Sequence, residues 1–173
     1  MGDGSSYCFY REVQRFRQPW VWLLIALVAG ISVWGVVQQL VLGKPFGQNP
    51  ASDTVLLIVA VVFGLGFPVL FWTASLTTEV RSDGLYYRYF PFHWSFRRIS
   101  SQELLRYDVI AYHPVRDYGG WGIRYGRGSK AYNVSGNHGV MLELSDGRKL
   151  LIGSQKAQEL ASAISLALGK RSG

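Results

Sequence analysis

The sequence has little cysteine and little charge. Its 173 residues include a single cysteine, Cys8, which excludes a disulfide framework and a zinc site built from cysteines. Charged residues make up 17% of the chain, whereas an average soluble domain has about a quarter. Aromatic residues nevertheless reach 14%, which excludes a disordered chain, because disordered segments are poor in aromatics and rich in charge.

Motifs for catalysis and metal binding are also missing. The histidines His93, His113 and His138 have no H-x-x-x-H spacing, and the chain has no G-x-S-x-G elbow and no Walker A loop. The basic residues are dispersed and form no nucleic-acid-binding motif. The sequence therefore predicts no enzyme, no cofactor, no metal site and no nucleic-acid partner.

Charge is absent altogether from two long apolar runs. No charged residue occurs between Arg17 and Lys44, or between Asp53 and Glu79. Each run exceeds the roughly 20 residues that a helix needs to cross a bilayer. Buried helices of a soluble protein rarely lack charge over this length. The runs thus predict a transmembrane hairpin over residues 19–76, with spans at about 19–42 and 54–76.

Positive charge flanks this hairpin on one side. The loop between the spans has one lysine. Five arginines, in contrast, lie before the first span or after the second: Arg11, Arg15, Arg17, Arg81 and Arg88. Cytoplasmic flanks of membrane spans carry an excess of Lys and Arg. The pattern predicts that both termini are cytoplasmic and that residues 1–18 form a cytoplasmic N-terminal segment.

Small residues recur four apart in both spans. Because small residues let helix backbones approach closely, the candidate helix-packing residues are Ala26, Gly30, Ala60 and Gly64. Pro68 is expected to kink the second span.

After the second span the hydrophobic period changes to two, which is typical of half-buried strands. The alternation is clearest over residues 85–90 and 140–144, and Asp146-Gly147 marks a hairpin turn. Residues 114–120 are expected to form a loop. Ser154 is a suitable N-cap for a helix whose apolar stripe consists of Ala157, Leu160, Ala161, Ile164 and Leu168. Residues 77–169 are therefore expected to form a cytoplasmic domain of about seven short antiparallel strands and a C-terminal helix, followed by a basic tail at 170–173.

Two stretches carry a resemblance to a known family: LTTEVRSDGLYYRYFPFHWSFRRIS and GGWGIRYGRGSKAYNVSGNHGVMLELSDGRKLLIGSQ. They resemble uncharacterised bacterial membrane proteins that have two transmembrane helices followed by a bacterial pleckstrin-homology-like (PH-like) domain. The resemblance covers about residues 70–165. It implies an α+β membrane protein of the bacterial inner membrane, in which a PH-like antiparallel β-barrel of about seven strands is capped by a C-terminal α-helix. It implies no catalytic residues.

Basic residues supply the candidate binding site. The domain from Thr77 onward has 14 Lys and Arg against 8 Asp and Glu, a net charge of +6. The glycine-rich stretch at 120–130 offers backbone N–H groups and cations that suit an anion. The candidate anion or lipid contacts are Arg124, Arg127, Lys130, Arg97 and Arg98. The alternative is that the glycines only form hairpin turns and let strands pack closely.

A domain tethered so closely to membrane spans can meet only partners in or beside the membrane. The expected partners are the lipid bilayer, another membrane protein, or a second copy of the chain. The sequence predicts a membrane-anchored PH-like interaction or scaffold module, such as an accessory subunit of an inner-membrane complex. The alternative is a sensor that binds an anionic lipid headgroup or a phosphate-bearing ligand at the membrane surface.

Overall fold

The computed structural model describes residues 7–126 and 128–169. Arg127 and the predicted basic tail at 170–173 lie outside the described residues. The chain divides into two compact units. One consists of residues 16–74, and the other is built from the chain on either side of that segment.

Residues 16–74 form two antiparallel helices. Helix α1 spans Pro19–Val41 and helix α2 spans Asp53–Thr73, and both are long and apolar enough to cross a membrane. Helix α1 begins with a proline, whose missing N–H costs nothing at a first helical position. In α2 the segment Ala60–Gly66 is π-helical and ends two residues before Pro68, which cannot donate the usual backbone hydrogen bond.

Side-chain contacts hold this helical pair together at both ends. Near the start of α1 the Trp22 ring lies edge-on to Trp72, with 6.0 Å between centroids. At the other end the Gln39 amide nitrogen donates to the Ala51 carbonyl at 2.8 Å and to the Asp53 carboxylate at 2.7 Å. The connecting segment is thereby tied back to α1.

The second unit contains a four-stranded antiparallel sheet in the order β1-β2-β3-β4. Its strands are β1 (Cys8–Arg15), β2 (Ser75–Arg81), β3 (Gly84–Phe90) and β4 (Arg97–Ser100). Arg15 pairs with Ser75, and Ser75 pairs with Phe90, so these three residues form one row at one end of the sheet. Both connections to the helices leave the sheet from this row.

Strand β1 lies within residues 1–18, which were predicted only as a cytoplasmic N-terminal segment without strands. Its inward-facing residues include Glu12 and Gln14, so the strand shows no run of alternating apolar residues. Polar contacts fix it instead. The Glu12 carboxylate accepts hydrogen bonds from the Tyr10 hydroxyl, the Ser154 hydroxyl and the Gln155 backbone N–H at 2.7, 2.7 and 3.0 Å.

A second sheet has five strands in the order β5-β8-β9-β7-β6. Its strands are β5 (Leu104–Ala111), β6 (Gly122–Gly126), β7 (Ser129–Asn133), β8 (His138–Leu144) and β9 (Lys149–Gly153). The β8–β9 hairpin turns at Asp146-Gly147, as expected. Strands β7 and β9 are parallel, which the purely antiparallel prediction did not include. The expected loop at 114–120 contains a short helix, α3 (Pro114–Tyr118).

The prediction of a closed seven-stranded barrel is wrong. The described residues form nine strands in two sheets, and no ladder joins one sheet to the other. The reason lies in the last helix, α4 (Ala157–Leu168), which contacts strands of both sheets. Its Leu160 and Ile164 side chains are fully buried, so the predicted apolar stripe fills the space between the sheets. The coarser prediction, an α+β chain with two long apolar helices followed by sheets of several strands, is confirmed.

A candidate anion-binding cleft

A cleft of about 620 Å³ opens between the two sheets of the second unit. Strands β3 and β4 form one wall, and strand β7 with the β8–β9 hairpin forms the other. Its lining residues are Tyr87, Arg97, Arg98, Ile99, Glu103, Lys130, Tyr132, Leu144, Ser145, Asp146, Arg148, Lys149 and Leu150. Five of these side chains are basic and two are acidic, so the cleft has an excess of positive charge.

Three of the five cations already have carboxylate partners. The Arg98 guanidinium lies 3.2 Å from the Asp83 carboxylate, Arg148 lies 2.5 Å from Asp146, and the Lys149 ammonium lies 3.6 Å from Glu143; these are the paired cations. Arg97 and Lys130, in contrast, have no carboxylate within salt-bridge distance in the described part of the chain. The cleft therefore presents two cations whose charge no neighbouring carboxylate balances.

Two tyrosines form the floor beside these cations. Tyr132 is completely buried and Tyr87 nearly so, and their ring centroids lie 4.9 Å apart. The Tyr132 hydroxyl is buried, and its interactions with the Lys130 ammonium and the Tyr87 hydroxyl fall short of normal hydrogen-bond geometry, so it makes no full hydrogen bond to any residue that the structure describes. A buried hydroxyl without a partner costs about 1–3 kcal/mol, so such groups are rare and require an explanation. An acceptor bound in the cleft would supply the missing partner.

The electrostatics keep the donors in their binding-competent states. Burial, followed by the nearby Tyr132, raises the pKa of Tyr87 to about 12, so its hydroxyl remains a donor at neutral pH. Burial lowers the pKa of Lys130, but its interactions with the Tyr125 and Tyr132 hydroxyls outweigh that effect and raise the pKa overall. Lys130 lies over both rings, with its ammonium 4.9 Å from the Tyr125 centroid and 5.2 Å from that of Tyr132.

His93 lies behind the tyrosine floor. Its ring centroid is 5.4 Å from that of Tyr132 and 6.2 Å from that of Tyr87. Burial, and then the positive charges of Arg97 and Lys130, lower the pKa of His93. The imidazole is therefore neutral at pH 7 and adds no charge of its own to the cleft.

The predicted anion contacts separate into two groups. Arg97, Arg98 and Lys130 line the cleft. Arg124 does not, because it lies exposed on strand β6 with its Nε donating to the Trp121 carbonyl at 3.0 Å. Arg127 lies outside the described residues.

The glycine-rich stretch forms the β6–β7 hairpin, and one of its glycines is required by close packing. A Cβ on Gly126 would collide with the Asp117 carbonyl oxygen. At the other end of the hairpin the Gly122 N–H donates to the Asn133 side-chain oxygen at 2.9 Å. These contacts involve neighbouring strands and helix α3, and among the described residues of the stretch only Lys130 reaches the cleft.

Seven polar lining residues of the cleft were not among the predicted contacts: Tyr87, Glu103, Tyr132, Ser145, Asp146, Arg148 and Lys149. Tyr87 belongs to the predicted alternation at 85–90, whereas Tyr132 lies between two buried residues, Ala131 and Asn133, and no pattern singles it out. Arg148 and Lys149 follow the predicted Asp146-Gly147 turn, but the pattern does not reveal which strand the hairpin faces.

The four candidate helix-packing residues are not equivalent. A Cβ on Gly64 would lie 3.1 Å from a methyl of Val33, so Gly64 is at the contact between α1 and α2. Ala60 is half-buried on the same helix. Ala26 and Gly30 are exposed on α1, and nothing lies within 4 Å of a Cβ built on Gly30.

A comparison with curated proteins found no match. A family model, in contrast, matches nearly the whole chain, over residues 2–170. This agrees with the coarser form of the resemblance, an uncharacterised family that covers most of the sequence. The chain belongs to the family described as a family of unknown function, DUF6141.

Proposed function

We propose that this protein is a membrane-anchored module that binds an anionic group in the cleft between its two sheets. The group would belong to a lipid headgroup or to a phosphate-bearing ligand at the membrane surface. One observation carries the proposal: Arg97 and Lys130 have no carboxylate partner among the described residues, and they line the same cleft as Tyr132, whose buried hydroxyl makes no hydrogen bond of normal geometry to the described chain. Charge-assisted hydrogen bonds from such donors are the strong ones in proteins.

The two apolar helices provide the anchor in this proposal. Strand β1 precedes α1 and strand β2 follows α2, yet the two strands pair in one sheet. If the helices cross a bilayer, the paired strands must therefore lie on the same side of it. The arginines that precede α1 and follow α2 favour a cytoplasmic position for the paired strands. We therefore propose a multi-pass protein of the bacterial inner membrane with both termini in the cytoplasm.

We further propose that the second unit is an open relative of a PH-like domain. The support is its order of elements: an antiparallel meander, a second sheet and a C-terminal helix that covers the core. We assign no catalytic residue to it.

Ligand binding to the full-length protein in mild detergent tests the proposal. The probes are phosphatidylglycerol, with zwitterionic phosphatidylcholine as the comparison without net charge, and inorganic phosphate. Arg97→Gln and Lys130→Gln should each weaken binding by about tenfold or more, because a hydrogen bond to a charged group contributes roughly 1.5–3 kcal/mol. Arg124→Gln, which removes an arginine outside the cleft, is the matched control.

The two probes separate the two sources of the anion. Preference for phosphatidylglycerol over phosphatidylcholine, lost in the cleft variants, supports a lipid headgroup. Binding of phosphate alone supports a soluble ligand. Equal binding by the wild type and the Arg97→Gln/Lys130→Gln variant would reject the cleft as the site.

A scaffold role is the second candidate, and the exposed face of α1 favours it. Ala26 and Gly30 lie on that face, where a helix of another membrane protein, or of a second copy, can approach closely. In this role the chain would be an accessory subunit of an inner-membrane complex. A stoichiometric partner that co-purifies from native membranes, and is lost in Gly30→Leu, would support it; a lone protein carrying only lipid would not.

A further inference from the structure

The segment between β3 and β4, residues 91–96, exposes two large aromatic side chains. Phe92 is 60% exposed and Trp94 is 81% exposed. Single exposed apolar residues are common on soluble surfaces, but two bulky aromatics in one short loop are more unusual. We name residues 91–96 the aromatic loop.

Contacts at its base hold the aromatic loop in this form. His93, between the two exposed residues, is buried, and its backbone N–H donates to the Tyr89 carbonyl at 2.8 Å. With His93 turned inward, its neighbours on either side face outward. The Trp94 ring rests edge-on against Phe90 at 5.7 Å, and the Phe92 ring lies 6.1 Å from Tyr89. These ring contacts fix the orientation of Phe92 and Trp94, so that little side-chain freedom is lost when the loop binds a surface.

The aromatic loop follows Phe90, which lies in the row Arg15–Ser75–Phe90 at the end of the four-stranded sheet. Helix α2 ends at Thr73, and only Ala74 separates it in sequence from Ser75. The aromatic loop therefore follows directly from the row that the chain enters when it leaves a helix long enough to cross a bilayer.

Its composition matches the interfacial layer of a membrane. Residues 91–96 contain aromatic side chains, a proline, a serine and a histidine, with no carboxylate. Trp in particular prefers the headgroup level of a bilayer, where an apolar ring and a polar N–H are both satisfied. The flanking basic residues Arg88 and Arg97 suit an anionic surface.

We propose that the aromatic loop inserts Phe92 and Trp94 into the interfacial layer of the membrane that the two helices cross, an inference that rests on the membrane anchoring proposed above. The insertion gives the second unit an attachment besides its two chain connections. It would hold the four-stranded sheet with the Arg15–Ser75–Phe90 row toward the bilayer.

The test places a fluorescent label on the full-length protein in vesicles that contain brominated phosphatidylcholine and phosphatidylglycerol. Cys8→Ser removes the native thiol, and single cysteines then replace Ser95, Ser82 or Leu27. Ser95 reports on the aromatic loop with both rings intact. Ser82 lies in the β2–β3 turn at the opposite end of the same sheet, and Leu27 lies exposed in α1.

The label at Ser95 should be quenched by brominated lipid nearly as strongly as the label at Leu27, whereas the label at Ser82 should not be quenched. The double variant Phe92→Ser/Trp94→Ser should lose the quenching at Ser95. Both rings are exposed, so this variant should retain the wild-type far-ultraviolet circular dichroism.

Each failure has a distinct meaning. If Leu27 is quenched but Ser95 behaves like Ser82, the proposal for the aromatic loop is overturned while the membrane anchor stands. If Leu27 is not quenched either, the membrane anchor itself is rejected. If quenching at Ser95 survives in the double variant, proximity to the helices, and not insertion of the rings, accounts for it.

Discussion

Tyr132 occupies a core position and a cleft position at once. Its ring packs against Tyr87 and Tyr89 in the space between the sheets, while its hydroxyl lies at the cleft without a hydrogen-bond partner in the described chain. A core position would normally be filled by phenylalanine, which avoids burying an unsatisfied hydroxyl. The cost is understandable if the hydroxyl serves a bound acceptor.

Tyr132→Phe should therefore leave the free energy of unfolding unchanged or raise it by about 1 kcal/mol, and should weaken anion binding. Removing a buried hydroxyl that makes no hydrogen bond of normal geometry relieves its desolvation, whereas the ligand loses a donor. Thermal unfolding of the full-length protein in detergent, with and without ligand, measures both effects. Tyr118→Phe is the control, because the Tyr118 hydroxyl lies 2.7 Å from the Ser129 hydroxyl and its loss should destabilise the fold. Equal destabilisation by the two substitutions would contradict this account of Tyr132.

At the residue scale the sequence identified the basic residues of the cleft better than the uncharged residues beside them. Arg97, Arg98 and Lys130 were predicted from charge alone, and they do line one cleft. Arg124 has the same charge in the same glycine-rich stretch, but it pairs with Ala131 and not with Lys130. It therefore lies on the opposite face of the β6–β7 hairpin and does not line the cleft. Tyr87 follows the alternation at 85–90 and Tyr132 lies in a continuously buried run, so no local pattern separates either from purely structural tyrosines.

At the scale of elements, helix α4 links the two sheets. One face of the helix buries Leu160 and Ile164 completely, while Leu166 on the opposite face is 78% exposed. This division explains why the predicted stripe was confirmed. It also gives a matched pair of leucines in one helix.

Leu160→Ala should destabilise the second unit by about 2–5 kcal/mol, because it removes buried methyl groups and leaves a cavity. Leu166→Ala should change the stability by less than about 0.5 kcal/mol, since exposed positions contribute little. Chemical denaturation of the full-length protein, followed by near-ultraviolet circular dichroism, compares the two. Similar losses for both variants would mean that α4 does not fill the space between the sheets.

Elements were predictable where the hydrophobic period was clear. Strands β3, β8 and β9 and helix α4 follow from alternation, an Asp-Gly turn or a helical stripe, and all four are present. Helix α4 begins at Ala157, and Ser154 accepts a hydrogen bond from the Lys156 N–H instead of capping the helix directly. Strand β1 was missed because its inward side chains are polar and bond to residues about 140 positions away. Such long-range pairing leaves no trace in a local window.

At the scale of the whole molecule, the pairing of β1 with β2 constrains the topology. The two strands lie on either side of the helical segment in sequence but in one ladder in space. The sequence correctly indicated two apolar helices. It predicted residues 1–18 only as an N-terminal segment, although they contain strand β1. If α1 crosses a membrane, α2 must cross it back, because β1 and β2 can pair only on the same side.

Cys8 allows this topology to be checked without disturbing the fold, because it is the chain's one cysteine and is exposed on β1. In intact bacterial spheroplasts a membrane-impermeant maleimide should leave Cys8 unmodified until the membrane is permeabilised. Cysteine placed at Ser52, between the helices, in a Cys8→Ser background should react without permeabilisation. The reverse pattern would invert the orientation, and identical behaviour of both sites would exclude a membrane hairpin.

The row formed by Arg15 and Ser75 has a consequence for the modularity of the protein. Antiparallel partners at the end of a ladder are the positions that a short β-turn normally connects. The helical segment is therefore an insertion in what is otherwise an ordinary β-hairpin, and the four-stranded sheet needs none of the inserted residues for its own hydrogen bonds. The pair of apolar helices is in this sense an elaboration of a single turn, which a domain of this kind can gain, exchange or lose without any change in strand order.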